Sequence, residues 1–252
     1  MPNLFRTIFA PPRDLILLLL AGWLGMALAD RRARKTIIGE NGFDMLAFSM
    51  LIAFAAGGRV LFLAAHWAAF SANPLSLFSL NRDLFDVLGG VAFAAIAGAI
   101  AIQRRRMPAW AALDLLAPLF AALSVGLALS HLASGAAFGK PANLPWSIEL
   151  WGATRHPTQL YELMAGLIVL AVIWFWSARL RTGSGFLLWL ALTAGSRLVL
   201  EGFRGDSTLL FGGVRLAQVL AWLVLAGALI GLELRQGRDQ PASELPAGPP
   251  FP

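Results

Sequence analysis

Long apolar runs alternate along the chain with short connections that carry most of its charge. Seven runs, at 14–30, 44–66, 84–102, 111–133, 158–178, 184–203 and 214–233, are each close to the twenty or so residues an α-helix needs to cross about 30 Å of hydrocarbon. The basic clusters Arg31/Arg32/Arg34/Lys35, Arg104/Arg105/Arg106, Arg179/Arg181 and Arg235/Arg238 fall in alternate connections. Lys and Arg accumulate in cytoplasmic loops, so this alternation predicts an outer N-terminus and a cytoplasmic C-terminus. Residues 67–83, 134–157 and 204–213 then face outward. The predicted fold is all-α: one seven-helix transmembrane domain over 1–235, a polytopic integral membrane protein. Pro108 and Trp110 suit a helix start at headgroup level. Residues 236–252 are rich in Pro and polar residues and are expected to form a disordered cytoplasmic tail. No cleavage site follows the first run and Arg31 opens a cytoplasmic flank, so it reads as a span, not a removed signal peptide.

Composition agrees with this pattern. The chain is 58% hydrophobic and 13% charged, with a mean hydropathy of +0.70, which excludes an ordinary soluble domain. Without cysteine there is no disulfide framework, thiolate metal site or cysteine nucleophile. The three histidines, His66, His131 and His156, are scattered, so no metal cluster is expected. A net charge of +6 could suit nucleic acid, but its placement in alternate loops fits membrane topology.

Two polar stretches break the apolar pattern. The first, "TRHPTQLYE" at 154–162, opens the fifth run. Pro157 suits the first position of a helix, which would make His156 its N-cap. Such a helix start offers free N–H groups and a positive dipole end, favouring an anion and phosphate above all. Arg155, Gln159 and Glu162 follow at i, i+4 and i+7 and are expected on one face, with Glu162 about 8 Å below the helix start. An interfacial anchor is the simpler alternative; it accounts for Arg155 and for Tyr161 in an aromatic belt, but not for Gln159 and Glu162. In the second stretch Arg197, Glu201 and Arg204 repeat the spacing, with Arg197 about 10 Å deeper than Arg204. Here the alternative is an Arg197–Glu201 structural staple. Arg59 adds a third cation to an otherwise apolar run, beside Gly57 and Gly58, which allow close helix approach. Both stripes open to one side, so a polar cavity is expected in which cations outnumber acids. That balance suits an anionic headgroup, and Arg recognises phosphate bidentately.

"RHPTQLYE" at 155–162 resembles the signature of the prolipoprotein diacylglyceryl transferases, and the similarity extends over nearly the whole chain. "LADRRARK", "GGRVLFLA", "NPLSLF", "LGG" at 88–90, "DLLAPLFAALSVG", "GAAFGKP", "RLVLEGFR" and "GGVRLAQVLA" come in that family's order. Several are weak alone; the eight-residue motif and the collinear order are specific. The resemblance implies seven spans with the N-terminus outside. It also implies transfer of the diacylglyceryl group of phosphatidylglycerol to the lipobox cysteine of a preprolipoprotein, at the outer face of a bacterial inner membrane, releasing glycerol phosphate. Arg59, His156, Gln159, Tyr161, Glu162, Arg197, Glu201 and Arg204 fall on matching family positions. Three departures stand out. The family's "HGG" is Leu88-Gly89-Gly90 here, its "GRxGN"-like motif is replaced by "GLALSHLASG" at 126–135 with His131 near the lost polar residue, and a first-span tyrosine is absent.

Such a reaction must neutralise a leaving phosphate and deprotonate a thiol. Arg59, Arg155, Arg197 and Arg204 are the candidates for the first task, oriented by Glu162 and Glu201. His156 is the expected base, with His131 as its rival; a core hydrogen bond is the plainer role for His131, and interfacial anchoring for His66. No cofactor and no metal are implied. The expected partners are phosphatidylglycerol, a lipobox peptide or another lipid acceptor, and membrane lipids, not nucleic acid. A divergent transferase with a different acceptor and an inactive lipid-binding membrane protein are the alternatives. A transporter is disfavoured, since no internal repeat is visible.

Overall fold

The computed structural model describes residues 13–68, 85–210 and 213–236. The expected tail beyond Gln236 and the motif "NPLSLF" lie outside the described residues. The described chain is mostly helical. Its helices are α1 (Arg13–Ala33), α2 (Gly39–Ala65), α3 (Val87–Arg104), α4 (Ala109–Ser134), α5 (Thr158–Trp176), α6 (Ser184–Leu200) and α7 (Leu216–Gln236). From α2 to α7, each of these six, counted with any 3₁₀ turn that continues it, is long and apolar enough to cross a membrane. The first helix is the exception. Arg13, Asp14 and Asp30–Arg32 confine its uncharged run to Leu15–Ala29, about 22 Å at 1.5 Å per residue.

Burial is the reverse of a soluble protein's. Large apolar side chains such as Trp23, Ile52, Ile168, Phe175 and Ile230 are exposed, while much of the interior is Ala and Gly, including Ala29, Ala33, Ala112, Ala121 and Ala194. Small residues let helix backbones approach where lipid covers the outside.

The described chain divides into two compact units. One is Trp23–Phe120. Within it α2 and α3 meet through glycines: a Cβ at Gly57 would overlap Phe93, one at Gly58 Phe85, one at Gly89 Leu61 and one at Gly90 Phe54. Asp86 caps α3 by accepting from the Gly89 N–H at 2.6 Å, and donates its own N–H to Gly58 O at 3.0 Å. "LGG" is therefore a helix start and a packing surface, and Leu88 itself is 80% exposed.

The other unit combines the described residues up to Gly22 with those from Ala121 onward. In it Gly166 of α5 packs on Val125 of α4, and Gly231 of α7 on Leu187 of α6. Two short hairpins depart from the all-helical expectation. β1 (Ile148–Leu150) pairs with β2 (Ala153–Arg155), and β3 (Leu209–Leu210) with β4 (Val214–Arg215), both antiparallel. Trp151 and Gly152 turn the first hairpin with φ of 55° and 71°, the positive angles that a two-residue type I′ turn requires.

Candidate functional site

The α5 start differs from the sequence expectation. Pro157, not His156, occupies the cap position, and Thr158 is the first helical residue. The Thr158 hydroxyl donates to Ala137 O at 2.6 Å and the Gln159 amide to Ala136 O at 2.9 Å. Both side chains are buried, and the Gln159 Oε1 has no hydrogen-bond partner among the described residues. Residues 136–137 therefore cover this helix start instead of leaving it open to an anion. Arg155 is not on the helix face either, because it lies in β2. Its Nε donates to Leu150 O at 3.0 Å and its Nη1 to Gly139 O at 3.2 Å, and its guanidinium sits 4.9 Å over the Phe138 ring. A 3.6-residue period carried across Pro157 had placed it with Glu162.

Residues 138–141 run as a strap between two other segments. Lys140 N–H donates to Phe203 O at 2.8 Å, Gly205 N–H to Phe138 O at 2.9 Å and His156 N–H to Lys140 O at 3.1 Å. A Cβ on Gly139 would overlap His156 O, and one on Gly205 would stand 2.8 Å from Gly139 O. This explains Gly139, the second glycine of "GAAFGKP": three backbones meet there with no room for a side chain.

The strap brings the ends of α4, α5 and α6 together around Glu162. Glu162 Oε1 accepts from Arg204 Nη1 at 2.7 Å and Arg197 Nη1 at 3.2 Å; its Oε2 accepts from His131 Nδ1 at 2.9 Å. A carboxylate only accepts, so Nδ1 is the donor in this contact, and in the neutral ring Nε2 is then the acceptor. Arg197 Nη2 lies 2.9 Å from Glu201 Oε2, a close ion contact without hydrogen-bond alignment. The α-helix stops at Leu200, a 3₁₀ turn follows over Glu201–Phe203, and Arg204 is extended. That bend turns Arg204 so that its Nε and Nη2 fork onto Asp206 at 2.9 and 2.8 Å while Nη1 reaches Glu162. Burial works against the Arg204 charge, but the Asp206 and Glu162 carboxylates outweigh it and hold its pKa above the ordinary value.

The cluster thus holds three carboxylates (Glu162, Glu201, Asp206) against two guanidiniums and one imidazole, so acids are not outnumbered. Arg204, with a side chain only 11% exposed, is fully engaged. Arg197 is 39% exposed and is the cation with room to turn to a ligand. Arg59 belongs to α2 in the other unit.

His156 is placed among rings. Phe203 is 5.3 Å and Tyr161 6.3 Å from its centroid, both edge-on, and its buried Nδ1 has no hydrogen-bond partner among the described residues. The Tyr161 hydroxyl accepts from Trp146 Nε1 at 2.9 Å. His66 stacks on Phe62 and bonds its carbonyl.

Two cavities meet at this cluster. One, of about 290 Å³, is lined by Arg197, Glu201, Arg204, Asp206, Ser207 and Thr208 with the start of α7. The other, of about 310 Å³, is an apolar groove between α6 and α7, including Trp189, Leu190, Ala194, Ala221 and Val224. Arg197, Ala217 and Leu220 line both. Sequence reasoning missed Asp206, whose only signal is its position two residues after Arg204.

A family model described as prolipoprotein diacylglyceryl transferase matches residues 15–233. Curated relatives named phosphatidylglycerol–prolipoprotein diacylglyceryl transferase are similar along most of their length. One from Trichormus variabilis is 27% identical over 254 residues, covering 93% of this chain and 89% of the relative. One from Finegoldia magna is 27% identical, covering 88% and 90%. One from Synechocystis sp. is 29% identical, covering 81% and 78%.

Proposed function

The chain belongs to the prolipoprotein diacylglyceryl transferase family, and on that premise we propose that it moves the diacylglyceryl group of phosphatidylglycerol onto the lipobox cysteine thiol of a preprolipoprotein. The observation that carries this is the junction at Arg197 of a charged cavity with an apolar groove. A phospholipid has the same two halves, an anionic head and hydrocarbon tails.

In the transfer, sulfur bonds to the glycerol carbon that bears the phosphate ester. The bond from that carbon to the ester oxygen breaks, and glycerol phosphate leaves with the electron pair. Arg197 neutralises the leaving phosphate, which its exposure and its position at the cavity junction support. The thiol proton goes to His131 Nε2. Glu162 fixes the ring through Nδ1, as a carboxylate orients an imidazole base in other acyl and group transfers. Arg204, locked by Asp206, holds Glu162. His131 replaces His156 as the base because the cap that favoured His156 is Pro157, and because His131 alone of the two is joined to the charged cluster.

The same proposal keeps seven spans, with α1 as the first, the N-terminus outside and the C-terminus in the cytoplasm. The cluster then lies at the outer face of a bacterial inner membrane. Residues 1–235 form one domain, a reading supported by α1 and α4, each of which runs through the boundary between the compact units.

The test uses the purified protein in phosphatidylglycerol vesicles with a lipobox peptide. Equal amounts of lipidated peptide and glycerol phosphate are expected. Glycerol phosphate without lipidated peptide would transfer the proposal to another acceptor, and neither product would leave a lipid-binding protein.

A further inference from the structure

The segment that carries Glu201, Arg204 and Asp206 is tied on one side by the strap, through Phe203 O and the Gly205 N–H. Its sequence, "EGFRGDS" at 201–207, includes two glycines, and a Cβ at Gly202 would meet nothing within 4 Å. It also follows the end of α6, where the last carbonyls lack intrahelical donors. Yet the Arg204 fork is held to Glu162 and Asp206 together, which requires the backbone of this turn to be fixed from outside.

Arg215 adds to the strap's hold from the chain that follows the turn. It lies at the end of β4, immediately before α7, and its Nη1 donates to Glu201 O, to Arg204 O at 3.0 Å and to the Ser207 hydroxyl at 2.8 Å. One guanidinium nitrogen thus bridges the beginning, middle and end of the segment. Neighbouring contacts act in the same direction: Leu216 N–H donates to Thr208 O at 3.1 Å and the Gln218 amide to Leu198 O at 3.1 Å. A cation at the C-terminal end of a helix also meets the negative end of its dipole.

We propose that Arg215 is a positioning residue for the transfer: by fixing the carbonyls on either side of the Arg204 guanidinium it sets the direction of that fork, and through Arg204 and Glu162 the orientation of the His131 imidazole. This rests on the transferase reading above only for its consequence in rate; the geometric relay from Arg215 to His131 stands apart from it. A lysine ammonium also carries three donors, but its shorter, flexible stem and compact charge place them differently from the planar guanidinium, so it is expected to restore only part of the hold.

The experiment is a double-mutant cycle between positions 215 and 204 in the full chain, reconstituted with phosphatidylglycerol. Arg215→Ala is expected to lower kcat about tenfold, with KM for phosphatidylglycerol changed less than about twofold and Arg215→Lys recovering part of the loss. In an Arg204→Lys background the same change should have little further effect, because the relay is already broken. Equal fold-losses in both backgrounds, or a loss that follows the folded fraction, would overturn the proposal. The ¹⁵N signals of His131, titrated alongside, read the relay without turnover. Arg215→Ala should move that titration midpoint with Arg204 present and not with lysine there; an unmoved midpoint overturns the role of Arg215. A wild-type chain that transfers nothing overturns the transferase reading, and the histidine titration still decides the relay.

Discussion

The protein joins its helices in two opposite ways. Between α2 and α3 the contact is made of absences: Gly57, Gly58, Gly89 and Gly90 leave space that Phe93, Phe85, Leu61 and Phe54 fill. The C-terminal ends of α4 and α6 and the start of α5 meet through His131, Glu162, Arg197, Glu201 and Arg204. Both contacts lie beside apolar runs, but their costs differ. Small-residue packing loses only side-chain volume. A buried ionic cluster forfeits hydration and must recover it through near-complete pairing. A chain that only needed to hold three helices together could do so with glycine and alanine, as it does elsewhere. The charged junction is therefore where the chemistry is to be sought.

That contrast gives measurements in descending size. Arg197→Ala should remove the phosphate contact at a cost of about 3–4 kcal/mol, or hundreds-fold in transfer, and should lower Tm as well, because the buried Glu201 loses its close partner; near-normal turnover by a well-inserted variant would end its role. Arg197→Lys should rescue poorly, because a point charge does not reproduce the fork. His131→Asn should cost about a hundredfold at neutral pH. With His131 as the base, the wild-type rate is expected to rise with pH to a plateau, and the variant should lose that limb of the profile. If His156→Asn loses it and His131→Asn keeps it, the base is His156. Gly90→Leu probes the other contact: it should lower stability by about 1–3 kcal/mol through overpacking against Phe54, seen as a lower Tm in detergent, while the remaining activity keeps its pH profile. Tyr161→Phe should be mildest, about 1 kcal/mol or less, since it removes one partly exposed hydrogen bond from Trp146.

Most of the helices were legible in the sequence because apolar runs report membrane-length segments directly. The residues of the charged cluster other than Asp206 were legible too, since a charge inside an apolar run has few innocent explanations. Their arrangement was not. Extending helical spacing back through Pro157 put Arg155 beside Glu162, whereas the chain is extended there and Arg155 braces a hairpin. The same spacing carried past Leu200 missed the 3₁₀ turn that swings Arg204 towards Asp206. Asp206 and Arg215 owe their roles to the chain folding back over 204–215, and periodicity carries no information about a return. His131 looked like a core histidine because its partner lies 31 positions away on another helix.

The strap at 138–141 also has a consequence for biosynthesis. Its hydrogen bonds join segments that leave the ribosome at very different times: Lys140 reaches Phe203 and His156, and Phe138 reaches Gly205. Pairings so far apart in sequence cannot close until the later partner exists. A nascent chain with α4 and α5 already in the bilayer still lacks Arg197, Glu201 and Arg204, so Glu162 and His131 wait without their cations. On the proposed mechanism the enzyme is inert throughout its own insertion. On the same mechanism, a chain truncated before residue 204 would carry the whole signature motif and no working centre.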